Sequence, residues 1–132
     1  RTSVCFTAGE SYATVADMTG KSDEEFTYEN GIRAWVGALF VDIRDSSKYF
    51  TENKPDTVAR VMRAFCSEII TILSANNNYR QIGVRGDCVY AIYSCSNLMQ
   101  LDSIMNDAAC INTFQKMFRT ILDKKGFPTF SF

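Results

Sequence analysis

The chain has 132 residues, 46% of them hydrophobic and 22% charged, with a formal net charge of −1. That length suits one domain around one core, and the near-neutral balance gives no electrostatic case for nucleic acid or an anionic membrane surface. There is no histidine, which excludes Ser-His-Asp and Cys-His sites and any histidine-bearing zinc site.

Chemistry must therefore rest on carboxylates, Lys, Arg, hydroxyls and a hard metal ion. No stretch is apolar for long enough to span a bilayer, and the first residues lack the charged-then-apolar order of a signal peptide. Cys5, Cys66, Cys88, Cys95 and Cys110 are odd in number and include no C-x-x-C. Reduced thiols in a cytoplasmic protein are expected.

Residues 1–30 show no sustained period and read as an irregular arm, with a short helix expected near Asp23. The apolar run that follows predicts a buried strand over 34–43, ending in the carboxylate of Asp42. Ser46 to Phe50 predicts a short helix, and Pro55 suits the first turn of a longer one over 56–75. Val58, Val61, Met62, Phe65, Ile69, Ile72 and Leu73 give that helix one apolar face. Asn76-Asn77-Asn78 is expected to end it, because Asn tolerates a left-handed cap.

Tyr79 to Val84 and Cys88 to Tyr93 predict two strands joined through Arg85-Gly86-Asp87 as an antiparallel hairpin. Met99 to Lys125 carries a second helical stripe: Ile104, Ala108, Ile111, Phe118, Ile121 and Leu122. Lys124 and Lys125 suit its C-terminal end, and Gly126 its cap. Phe127 to Phe132 is expected to begin a further strand. The order β-α-α-β-β-α-β predicts a ferredoxin-like α+β domain over 31–132, an antiparallel sheet covered by helices. A strand that starts at the last residues points to an incomplete C-terminal part.

Two carboxylates stand out. Asp42 ends the first strand and Asp87 sits in the hairpin turn. If that strand lies beside the hairpin, both acids reach one sheet end, where hard divalent cations take carboxylate and phosphate oxygens. The residues between strand and helix, Arg44, Asp45, Ser46 and Ser47, would offer amides to phosphate. The spacing leaves a second reading open, with Asp42 a helix cap and Asp87 a turn residue. Lys48 reads as a solvated helix residue and Trp35 as a packing anchor. Tyr90 and Tyr93 read as core or dimer surface, and Cys88 as a small strand residue.

FVDIRDSSKYF and GVRGDCVYAIY resemble the two metal-binding motifs of the class III nucleotidyl cyclases, and the order of elements agrees over roughly residues 35–132. The resemblance implies that Asp42 and Asp87 bind two Mg2+ or Mn2+ ions, with the backbone carbonyl of Ile43. It puts Ser46 and Ser47 in the loop that contacts the triphosphate. It also implies a nucleoside triphosphate substrate and a head-to-tail homodimer with shared active sites. The transition-state Asn and Arg would follow residue 132, so the chain as given is expected to be inactive if nothing follows Phe132.

Two positions depart from the family pattern. Asp45 stands where a Gly is usual. Gly83 stands where purine cyclases place a Lys or Glu that selects the base, and Arg85 shares its strand face. DIRDSS most resembles the bacterial pyrimidine cyclases of Pycsar anti-phage defence, which implies cyclic UMP, or cyclic CMP, as product. Purine cyclisation and an inactive cyclase-like module that binds nucleotide or dimerises are the alternatives. A phosphoacceptor domain modified on Asp42 would need a parallel sheet, which the hairpin argues against.

Overall fold

A computed structural model of the chain describes residues 11–15 and 30–132. The described residues form β1 (Ser11–Thr14), β2 (Asn30–Arg33), β3 (Val36–Asp42), α1 (Ser46–Glu52), α2 (Pro55–Ser74), β4 (Tyr79–Arg85), β5 (Cys88–Ser94) and α3 (Leu98–Lys124). The three longer strands make one antiparallel sheet in the order β3-β5-β4. Residues of α2 and α3 pack on one of its faces. This is the expected α+β layering, consistent with a ferredoxin-like domain.

Strand alternation decides which side chains meet the helices. Val41, with Val89, Ala91 and Tyr93 of β5, is buried against the stripes Val61-Phe65-Ile69-Leu73 of α2 and Ile104-Ile111-Phe118-Leu122 of α3. Both stripes match the sequence reading, except that Ile121 is exposed and Phe114, outside the stripe as read, is buried in the core. Gly37 lets α3 close onto β3: a Cβ there would lie 2.5 Å from Ile104 Cδ1.

The last stretch differs from expectation. Residues 127–132 form no strand and join no ladder. Their apolar residues are drawn into the helix layer instead, where Phe130 and Phe132 pack against Phe65 and Phe118. One backbone bond reaches the sheet end, from Arg44 N–H to the Ser131 carbonyl at 2.9 Å.

Three smaller expectations also change. The Asn run ends α2 without a left-handed residue. The buried Asn76 does so through its side chain, donating to Asp107 Oδ2 and accepting from Asn78 N–H, each at 2.9 Å. Trp35 is not a packing anchor, being 76% exposed at the start of β3. Within the stretch read as an irregular arm, β1 pairs in parallel with β2; Asp23 lies outside the described residues. No helix among the described residues is long and apolar enough to cross a membrane.

Candidate active site

The alternation that buries Val41 turns Asp42 to the face opposite α2 and α3 and leaves it exposed. In the β3–β5 ladder Asp42 is the partner of Cys88. Asp87 immediately precedes Cys88, in a two-residue turn that pairs Arg85 with Cys88. Gly86 opens this turn at φ +64°, a conformation open to glycine at little cost. Two acids far apart in sequence are thus brought to one end of one sheet. The Cys88 thiol registers both: burial raises its pKa first, and the charges of Asp42 and Asp87 push the same way, against a lowering hydrogen bond from the Val41 backbone.

The loop after Asp42 is pinned from several sides. Ile43 is 3% exposed, so its side chain anchors the strand end in the core. The Arg44 amide is engaged by Ser131, which removes it from the amides expected to meet phosphate. Asp45 adopts φ +55°, ψ +35°, the left-handed region. That explains the departure noted above: the position calls for the glycine usual in the family, and Asp is among the residues that tolerate it.

Asp45 is also the N-cap of α1, without a side-chain cap bond. Asp42 is therefore not the helix cap that the alternative reading required. The amides that open α1, from Asp45 through Ser47, have no acceptor within the helix itself. Tyr49 ties α1 down, donating from Oη to the Pro128 carbonyl at 3.0 Å and packing edge-on against Phe130. Lys48 is solvated beside Glu52, 4.0 Å away, as expected.

A groove of about 720 Å³ lies by the outer edge of β3 in the described sheet, lined by residues 39–45 and by Ala108, Ile111, Asn112 and Phe132. Its size is within the range of small-molecule sites. Among the described residues no group of three or more His, Cys, Asp or Glu side chains is placed to hold a metal. Two carboxylates completed by backbone and substrate oxygens remain, a donor set that suits a magnesium-like cation.

Register also settles the neighbours. Gly83 pairs with Tyr90 and Arg85 with Cys88, so Gly83 and Arg85 share the open face, as alternation predicted. Tyr93 is wholly buried and Tyr90 half-buried. Phe40, not singled out from the sequence, stands on Asp42's face and is 65% exposed. The two-residue step from Phe40 to Asp42 was the signal available for it.

No protein-family model matches the chain. A protein of Treponema porcinum named uridylate cyclase is 45% identical over 107 residues, which cover 80% of this chain and 37% of that protein. The chain is a homologue of the uridylate cyclases. A second protein of that name, from Gulbenkiania mobilis, is 32% identical over 73 residues, covering 54% of this chain and 28% of the relative. The chain spans about a third of the length of these uridylate cyclases.

Proposed function

We propose that the chain is the metal-binding part of a nucleotidyl cyclase that converts UTP, or CTP in second place, to the 3′,5′-cyclic monophosphate and pyrophosphate. The ribose 3′-hydroxyl attacks its own α-phosphorus. The O3′–P bond forms, the bond to the β-phosphate bridging oxygen breaks, and the hydroxyl proton leaves to solvent. The observation that carries this reading is the Asp42–Cys88 register, which sets Asp42 and Asp87 at one sheet end. The uridylate cyclase relatives support the choice of base.

In this reading Asp42 and Asp87, with the Ile43 carbonyl, hold two Mg2+ or Mn2+ ions. Such ions lower the pKa of an attacking hydroxyl and stabilise a leaving phosphate. The amides of Asp45, Ser46 and Ser47 orient the β- and γ-phosphates, and Arg85 adds positive charge on the open face. A second copy completes the site head to tail, and the product serves as a cytoplasmic alarm signal in anti-phage defence. The observed antiparallel sheet disfavours the phosphoacceptor alternative.

The test is to incubate full-length protein with ATP, GTP, CTP and UTP plus Mn2+ and identify products by mass spectrometry. Cyclic UMP as the main product is expected. No cyclic nucleotide from any of the four would reject the reading.

A further inference from the structure

α1 has little of its own to hold it. It has seven residues, well under the ~12 that an isolated helix needs in water. Its N-cap, Asp45, makes no side-chain cap bond. Its ion pair, Lys48 with Glu52, is solvated and contributes little. Among the described residues, α1 buries only Tyr49. The position of α1, and of the loop that leads into it from Asp42, is therefore decided by what Tyr49 touches.

Tyr49 touches residues 128–131. Its Oη donates to the Pro128 carbonyl at 3.0 Å, and its ring meets Phe130 edge-on, 5.1 Å between centroids. Three residues after Pro128, the Ser131 carbonyl accepts from Arg44 N–H at 2.9 Å. One short segment thus holds the loop and α1 at two points. The segment is itself fixed from the helix layer. Phe130 is buried against Phe65 of α2. The Phe132 amide donates to Gln115 Oε1 at 3.0 Å, and Ser131 Oγ accepts from Arg119 Nη1 at 3.4 Å.

The Arg44 bond bears directly on the site. Arg44 N–H and Ile43 C=O belong to one planar trans peptide unit, in which the two bonds point in opposite senses. With the N–H turned to Ser131, the Ile43 carbonyl is aimed away from Ser131. Rotation of this peptide would swing that carbonyl and drag the backbone of Asp42 next to it. The peptide stays in place while the loop stays against residues 128–131, and Tyr49 clamps the two together.

We propose that Tyr49 is a positioning residue for the metal site. By tying α1 to Pro128 it keeps the Ile43–Arg44 peptide against Ser131. That holds the Ile43 carbonyl and the Asp42 backbone where a divalent cation meets them. The proposal rests on the reading of Asp42, Ile43 and Asp87 as metal ligands. It adds a residue that acts on the ion through the loop, without touching it.

The test compares full-length protein with its Tyr49→Phe and Tyr93→Phe variants. Mn2+ affinity is read by electron paramagnetic resonance in the presence of a UTP analogue whose α–β bridge is an uncleavable methylene. UTP cyclisation is followed against Mn2+ in parallel. Tyr49→Phe keeps the ring against Phe130 and loses only the bond. It should weaken Mn2+ binding by about 3- to 10-fold, the worth of one hydrogen bond, and raise the Mn2+ needed for half-maximal rate to match. Its kcat at saturating Mn2+ should stay within about twofold of wild type. Tyr93→Phe is the control for a purely structural loss. Tyr93 pairs with Gly37 at the other end of the ladder from Asp42. Losing its bond to Asp107 should lower stability and leave Mn2+ affinity unchanged. Unchanged Mn2+ affinity in Tyr49→Phe, or an equal loss in Tyr93→Phe, overturns the proposal. If wild type binds Mn2+ but cyclises nothing, the cyclase reading fails and the binding arm still decides the role of Tyr49. If wild type binds no Mn2+, the metal-ligand reading fails and the proposal falls with it.

Discussion

Asp42 faces Cys88 across the β3–β5 ladder, and Asp87 is the residue before Cys88. Asp42 is exposed at the end of β3 and Asp87 lies in the turn before β5, and neither side chain belongs to the core, so neither carboxylate is needed for packing. Asp42→Ala and Asp87→Ala should each lower cyclic-nucleotide formation by more than about 100-fold, beyond the loss typical of an outer-shell partner. Their melting temperatures should stay near wild type. Retained turnover in both variants would remove these residues from the reaction.

The left-handed Asp45 tests whether that loop is under backbone strain. A β-branched residue there should cost about 1–2 kcal/mol. Asp45→Val should therefore lower the urea midpoint, while Asp45→Gly should leave stability within about 1 kcal/mol of wild type or above it. Equal losses from both would mean that the Asp side chain, and not the backbone, is what the position requires.

Tyr93 Oη donates to Asp107 Oδ2 at 2.9 Å, and Asn76 shares the same oxygen. This joins β5, α3 and the end of α2. Tyr93→Phe should cost roughly 1.5–3 kcal/mol, as for a hydrogen bond to a charged group, read from equilibrium unfolding in urea.

The same residue gives a pH dependence. Burial first, then the bond to Asp107 and its charge, hold the Tyr93 hydroxyl well above its ordinary pKa. The unfolded chain releases this proton near pH 10, while the folded chain retains it. Stability from this group is then fully present below about pH 10 and declines as pH rises further. Burial raises Tyr49 in the same direction. Unfolding midpoints between pH 8 and 11 should show the decline, and Tyr93→Phe should make it shallower.

Gly37 and Ile104 form a steric pair. The 2.5 Å that an added Cβ would leave to Ile104 Cδ1 cannot persist, so Gly37→Ala should destabilise by about 1–3 kcal/mol. Ile104→Val removes the opposing methyl, and the double variant should recover part of the loss. A double-mutant cycle with no coupling energy would show that the crowding is relieved elsewhere.

Most elements were legible because their signals are local. The α2 stripe follows the helical period, Gly86-Asp87 between two apolar runs marks a hairpin, and Gly126 with φ +70° caps α3. The terminal stretch was misread because Phe127, Phe130 and Phe132 are equally at home in a strand and in an aromatic cluster. Only the proximity of Phe65, Phe114 and Phe118 decides for the latter. The exposure of Trp35 was hidden for the same reason: a large aromatic in an apolar run carries no local sign of whether anything covers it.

The amino-acid order by itself determined the kinds of element, the absence of histidine chemistry, and the two acids worth pursuing. Hydrophobic periodicity, turn chemistry and donor type act over a few residues and are written there directly. Which acids become neighbours and which face Tyr90 occupies were decided in the tertiary structure. Those depend on strand register, and register is the outcome of side chains on β3, β4 and β5 finding the same core at once.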